Sequence, residues 1–418
     1  MNGKIAQEQI VKEAIAACLP DAAVQRALRD LPQTTGKKIL VAVGKAAWRM
    51  AKAALEAENV SFDDGIVITK YGHVEGPLEG VRCYEAGHPI LDENSLQATE
   101  AALETVRGLA SEDLVVVLLS GGGSALFEKP LIPLEELTTL TDALLAKGAN
   151  IVEMNRVRKR FSGVKGGRFA LACAPAQVYN IILSDIIGDP IDMIASGPTY
   201  PDDSTCAQAQ AVIAKYDIPL SAAAQKLLVV ETPAELTNVQ TTVSGSVTEL
   251  CCAARSACER LGYATEILTT SMDCEAREAG RLLGSIGHTH AGDTTPRAYL
   301  FGGETVVHLR GKGKGGRNQE LALAAAPLIA GCDTVRIFSF GSDGTDGPTD
   351  AAGGCCDGNT MAALKKAGVS LDAALADNDA YHALGAVNQL IFTGPTGTNV
   401  NDLSVVLITP EDKIGRKE

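Results

Sequence analysis

Asp113-Leu-Val-Val-Val-Leu-Leu-Ser-Gly-Gly-Gly-Ser124 is the stretch around which the rest of the chain can be read. An apolar run with no polar alternation is the pattern of a strand buried on both faces, which puts 114–119 centrally in a parallel sheet. In such sheets ligands sit beyond the carboxyl ends of the strands. Glycine at 121, 122 and 123 removes every Cβ from the turn. The backbone N–H groups of Gly121, Gly122 and Gly123 can then close round an anion such as a phosphate, with Ser120 and Ser124 as added hydroxyl donors. The same residues would also suit a tight strand-to-helix turn that binds nothing.

Outward from this strand the pattern repeats. Lys38-Ile-Leu-Val-Ala-Val-Gly-Lys45 reads as a buried strand that presents the Lys45 ammonium just before a helix over 46–57. Strands are expected at 65–69, 81–86 and 178–185, with a helix from Asn94 capped near Asp92 and another over 134–147. Beyond the polar, proline-containing segment Glu231-Thr-Pro-Ala234 a second series begins. It comprises strands at 241–243, 264–268, 297–301, 305–309, 334–340, 389–393 and 403–408, and helices at 249–261, 274–286 and 319–329. Alternating strands and helices give an α/β chain of two domains: a Rossmann-like doubly wound sheet over 1–235 and a second α/β domain over 236–418. A length of 418 residues agrees with two cores rather than one.

The formal net charge of −14 opposes general binding to nucleic acid or to an anionic membrane. The first residues lack the apolar core of a signal peptide and no later run is long and apolar enough to span a bilayer, so a cytoplasmic protein is expected. The 11 cysteines are odd in number and show no C-x-x-C spacing, which fits reduced thiols better than a disulfide framework or a structural zinc site.

In so acidic a chain, basic loops stand out. Residues 155–168 carry six basic residues and no acidic one, and 310–317 alternate Lys or Arg with glycine; both suit phosphate. Gly311-Lys-Gly-Lys-Gly-Gly316 also satisfies G-x-G-x-x-G, which keeps a dinucleotide-binding reading open. Carboxylates recur in loops after strands, at Asp185, Asp189, Glu304, Asp343, Asp346 and Asp350. Carboxylates among glycines beside basic loops suit a magnesium–phosphate site, although Asx turns account for many loop aspartates.

Several stretches together resemble the glycerate 2-kinases that join a Rossmann-like domain to a C-terminal MOFRL domain, some of whose members are labelled hydroxypyruvate reductases. They are Val43-Gly-Lys-Ala46, Gly87-His-Pro89, Leu119 to Leu126, Met154 to Lys159, Leu183 to Asp189, Ser196-Gly-Pro-Thr199, Gly315 to Glu320, Gly341 to Gly347 and Gly397 to Leu403. They span nearly the whole chain in order, and no departure within them removes a functional group. The resemblance implies transfer of the ATP γ-phosphoryl group to the 2-hydroxyl of D-glycerate, with a divalent metal such as Mg2+ and an active site between the two domains. It implies Lys45, Asp189 and Arg317 as catalytic residues. On this reading Ser120 to Ser124, Lys159 and Asn318 bind nucleotide phosphates, Asn155, Arg158 and Glu304 bind substrate, and Asp189 and Asp343 hold the metal. Asp185 is the alternative to Asp189. The expected partners are small molecules, with homodimerisation left open. Two rivals remain: an NAD(P)H-dependent hydroxypyruvate reductase, and a non-catalytic module that binds nucleotide or sugar acid.

Overall fold

A computed structural model describes residues 3–58, 60–184, 186–188 and 190–410. Its packing separates two units, one built from 23–184 and 190–244, the other from 3–22, 186–188 and 245–410.

The first unit is organised by a six-stranded sheet of β1 (Lys38–Val43), β2 (Asp64–Lys70), β3 (Val81–Ala86), β4 (Leu114–Leu119), β5 (Gln177–Leu183) and β6 (Val239–Gly245). Every residue of β4 is buried, as its unbroken apolar run requires. The strand order is β3-β2-β1-β4-β5-β6, with β1 to β5 parallel where they pair. The order reverses between β1 and β4, and in open α/β sheets such a reversal opens the crevice that takes ligands. The helix Glu93–Thr105 starts at Asp92, whose side chain accepts the Ser95 N–H in a reciprocal capping box. A helical layer of Leu134–Ala146, Ile151–Arg158 and Cys206–Lys215 buries Leu137, Leu144, Val157 and Val212 in a shared cluster. Its second helix covers a basic segment that the apolar spacing alone does not mark as helical.

In the second unit, β7 (Ala264–Met272), β8 (Arg297–Gly303), β9 (Val335–Gly341), β10 (Gly353–Asp357), β11 (Leu390–Ile391) and β12 (Asp402–Ile408) run in the order β11-β10-β9-β12-β8-β7. Only β7 and β8 pair in parallel; the other pairs are antiparallel, so this sheet is mixed. The strand expected over 305–309 does not form. Val306 makes a single bridge to Glu275, and although Val307 packs against the core, Val306 is 49% and Leu309 83% exposed. β10 carries Gly353-Gly-Cys-Cys-Asp357 in place of β-branched residues, and a Cβ at Gly353 would lie 2.0 Å from the Ser339 carbonyl. Close approach, not propensity, selects those glycines. The same logic joins the helices Ala276–His290 and Arg317–Ala325, where a Cβ at Gly280 would come 2.2 Å from the Leu321 carbonyl.

The chain passes from one unit to the other at Ser244/Gly245, where a single cut at 235/236 was expected, because β6 completes the first sheet. The helix Gly3–Ala17 packs within the second unit, where Glu13 pairs with Arg260 and Gln7 accepts from Arg336.

Candidate active site

Four loops follow the carboxyl ends of β1 to β4, and each carries polar groups: Lys45, His73, His88, and the Ser120–Ser124 turn. The first and last are laced together. Ser120 N–H donates to the Val43 carbonyl at 3.0 Å, Lys45 N–H to the Gly121 carbonyl at 2.9 Å, and Ala46 N–H to Ser120 Oγ at 3.1 Å. Gly44 has φ +124, and a Cβ there would fall 2.3 Å from Ser120 Oγ, so only glycine lets the two loops meet. Gly122 sits at φ +88 with the His88 ring 3.0 Å and the Lys45 stem 3.1 Å from where its Cβ would be. Lys45, exposed, thus runs alongside the glycine turn and the imidazole. Burial, then the charge of Lys45, lowers the His88 pKa and so favours the neutral ring. His73 Nδ1 lies 2.9 Å from the Lys45 carbonyl. Neither histidine was singled out from the sequence, although Gly87-His-Pro89 follows β3 directly and its position at a strand's carboxyl end was the available signal.

A second layer backs the turn. Ala195 and Ser196, at φ +51 and +61, and Gly197, at φ +64, make a left-handed turn, which costs about 1–3 kcal/mol for each non-glycine residue. It lies against the glycine turn, since a Cβ on Gly123 would sit 2.6 Å from that of Ala195. Ser124 Oγ is 3.0 Å from Ser196 Oγ, and Ser196 donates to Asn155 Oδ1 at 3.0 Å. Arg158 Nη2 donates to the Ser124 carbonyl at 3.1 Å, while its buried Nε has no partner among the described residues. Burial pulls the Arg158 pKa down.

The rest of the basic segment turns inward. Lys159 is 3% exposed and lies 3.2 Å from Asp202 and 3.4 Å from Asp192. Arg160 is held by Glu231 and Thr232, and Lys165 lies 2.6 Å from Glu128, burial lowering its pKa to about 8. Buried cations require such partners. The ammonium of Lys159 is therefore committed to carboxylates, and Arg158 is the member of this run that reaches the glycine turn.

In the second unit Arg317 opens the helix Arg317–Ala325 and is gripped by carboxylates. Nε and Nη2 donate to Asp402 at 2.5 and 3.0 Å, and Nη1 is 3.1 Å from Glu304. Burial opposes the guanidinium charge, but Asp402 and Glu304 outweigh it and raise the Arg317 pKa. Glu304 also accepts from Asn401 Nδ2 at 3.0 Å. Asn318 is buried, donating to Asp346 and accepting from Ser339. Asp346 receives the N–H groups of Asn318 and Gln319 at 3.2 and 2.9 Å, so the protein's own carboxylate fills this helix N-terminus; burial pushes its pKa up to about 7 against those bonds. Asp343 Oδ1 accepts the Thr345 N–H at 3.0 Å in an Asx turn.

The Gly311–Gly316 loop is fastened to residues 377–379: Gly313 N–H donates to the Asp377 carbonyl at 2.8 Å and Lys314 N–H to Asp379 at 2.9 Å. A Cβ on Gly311 would lie 2.3 Å from Asp377 Cα. Its glycines serve backbone approach to that turn, and the helix end where a dinucleotide pyrophosphate would bind holds Asp346. Asp185 and Asp189 lie outside the described residues. Among the described residues no three His, Cys, Asp or Glu side chains cluster as a metal site. Mg2+ needs no such cage, since it keeps several waters and uses one or two carboxylates with substrate phosphates.

Residues 6–229 match the family described as a domain of unknown function, DUF4147, and residues 297–402 match the MOFRL family. The chain is 51% identical to the D-glycerate 2-kinase of Thermotoga maritima over 96% of its own length and 97% of the relative's. A putative hydroxypyruvate reductase of Agrobacterium vitis is 39% identical, over 96% and 93%. The crystal structure of the Thermotoga maritima glycerate kinase superposes with a TM-score of 0.93 at 50% identity, covering 97% of this chain and 99% of that one. An exposed lysine held at a glycine turn at the sheet's switch point, a MOFRL unit carrying a carboxylate-gripped arginine, and likeness over nearly the full length agree: the chain belongs to the glycerate 2-kinase family and is a kinase.

Proposed function

We propose that the protein transfers the γ-phosphoryl group of ATP to the 2-hydroxyl of D-glycerate, forming 2-phosphoglycerate and ADP. The observation that carries this is the lacing of the β1 and β4 loops, which holds the exposed Lys45 against a turn free of Cβ atoms. Phosphoryl transfer asks a protein for in-line positioning and neutralisation of charge on the transferred group more than for covalent chemistry. Lys45 supplies that charge to the equatorial oxygens, and the Gly121–Gly123 backbone lines the phosphates. Arg158, whose Nη2 reaches the Ser124 carbonyl, is the candidate for the glycerate carboxylate. Arg317, oriented by Asp402 and Glu304, is the second cation of the mechanism. The 2-hydroxyl loses its proton to a base, for which Asp189 is the candidate, as the bond from the γ-phosphorus to ADP breaks.

Mg2+ would neutralise the β- and γ-phosphates. Its candidate holders are Asp189 and Asp343; Asp343, half-buried with one oxygen engaged by Thr345, suits an ion that keeps most of its waters.

Phosphorus NMR of the protein with ATP, Mg2+ and D-glycerate tests the reaction. A 2-phosphoglycerate resonance is expected. A 3-phosphoglycerate resonance would retain the kinase and change the acceptor hydroxyl. The name of the Agrobacterium vitis relative favours a second reading, hydroxypyruvate reduction. A parallel sample with NADH and hydroxypyruvate tests it, and NADH consumption without a phosphoester would decide for the reductase.

A further inference from the structure

We infer that Ser124 acts as a hydrogen-bond acceptor for the hydroxyl of the acceptor substrate that does not react, and that Ser196 and Asn155 are positioning residues that fix it in that role. The inference rests on the kinase reading above and adds to it the group by which glycerate is told from simpler 2-hydroxy acids.

A serine hydroxyl has one proton to give and two lone pairs. Ser196 donates its proton to Asn155 Oδ1 at 3.0 Å. The Asn155 amide is oriented by its other end, since Nδ2 faces the Met193 sulfur at 3.8 Å, a weak acceptor that takes the donor side. With the Ser196 proton engaged, the 3.0 Å contact between Ser196 and Ser124 can be made only if Ser124 donates. Ser124, half-buried, therefore turns its proton inward, and no described residue donates to its lone pairs. An ionised phosphate oxygen offers only lone pairs, so this serine is mismatched to a nucleotide phosphate and matched to a hydroxyl. The expectation that Ser124 donates to phosphate is reversed by this wiring.

The wiring also selects which hydroxyl. The chain from Ser124 through Ser196 ends at an amide oxygen, which cannot carry a proton away, so the chain is no base. The hydroxyl that loses its proton must be served elsewhere, and the one that keeps its proton is the partner of Ser124. The two left-handed residues Ala195 and Ser196 support a functional reason for the turn, because backbone strain persists where the surrounding structure over-determines it.

The test compares D-glycerate with D-lactate, which has the same configuration at C2 and lacks the 3-hydroxyl, in the wild type, Ser196→Gly, Ser124→Ala and the double variant. Glycine accepts φ +61 without strain, so Ser196→Gly removes the hydroxyl and keeps the turn. The wild type should prefer D-glycerate by about tenfold or more in kcat/KM. Each single variant should cut that preference about threefold to tenfold, through a higher KM for D-glycerate with D-lactate little changed. The double variant should lose no more than Ser124→Ala, since the two serines act as one unit. Equal losses for both substrates would mean that Ser196 only holds the loop, and would overturn the inference. So would a wild type that ignores the 3-hydroxyl while phosphorylating D-glycerate, which leaves the kinase reading intact. A wild type that phosphorylates neither acid overturns that reading and the inference with it.

Discussion

Lys45 is the residue on which the proposed chemistry turns. Its ammonium is exposed, and it is placed by its own backbone, through the bond to Gly121 and the contact of its stem with the Gly122 position. Lys45→Ala therefore removes charge without unpacking anything. Turnover with ATP and D-glycerate should fall about 10²- to 10³-fold, as for loss of one preorganised electrostatic donor. Its unfolding free energy from urea titration should stay within about 0.5 kcal/mol of wild type. Asp346 is the opposite case, a buried carboxyl whose pKa is about 7 in the folded protein against an ordinary value of 3.8. Between those values the folded state holds a proton that the unfolded state has lost, so stability falls as pH rises from about 4 to about 7 and levels off above. Urea titrations at pH 5 and pH 8 should show the wild type losing roughly 2–3 kcal/mol more across that interval than Asp346→Asn, which has no carboxyl to titrate. Asp402 is raised by burial in the same sense although Arg317 opposes it, and because its charge helps to raise Asp346 the difference between the two proteins belongs to the carboxyl pair.

The elements divide into those that announce themselves and those made by proximity. β1 and β4 are legible because each is a long apolar run closed by glycine, and the carboxyl ends of such strands are where ligands go. That much of the candidate site, Lys45 and Ser120–Ser124 at two adjacent strand ends, could be read from the chain. The inward turn of Lys159 could not, because its carboxylate partners Asp192 and Asp202 lie more than thirty residues away and no local pattern ties them to it. β10 was missed for a related reason: Gly353 and Gly354 are there for the backbone of β9 and the side chain of Leu384, neither visible in a window of sequence. Glycines of this kind can be ranked by what a methyl group would meet. Gly44→Ala, with φ +124 and backbone and hydroxyl oxygens of Ser120 within 2.5 Å, should cost about 3 kcal/mol or more and separate the β1 and β4 loops. Gly76→Ala, where no atom lies within 4 Å, should stay within about 0.5 kcal/mol. Chemical denaturation of the pair checks both.

At the scale of the whole molecule, two α/β units were legible from the alternation of strands and helices, but the home of the first helix was not. The helical spacing of Ile10, Val11 and Ile15 asks for burial and does not say against what. The answer is the second unit, where the helix lies on Val247–Arg260. A fragment of 245–410 should accordingly be poorly soluble or lack a cooperative melt. The same fragment joined through a flexible linker to residues 3–22 should give one cooperative transition by circular dichroism. Equal behaviour of the two fragments would show that the helix contributes nothing to that unit. This arrangement also sets a timetable for synthesis. The helix leaves the ribosome well before the surface that receives it, which begins at residue 245, more than 200 residues later. At the usual 5–20 residues per second that is a wait of roughly 10–45 s. A lone helix of this length is marginal in water, so through that interval its apolar side stands open to chaperones and to neighbouring nascent chains.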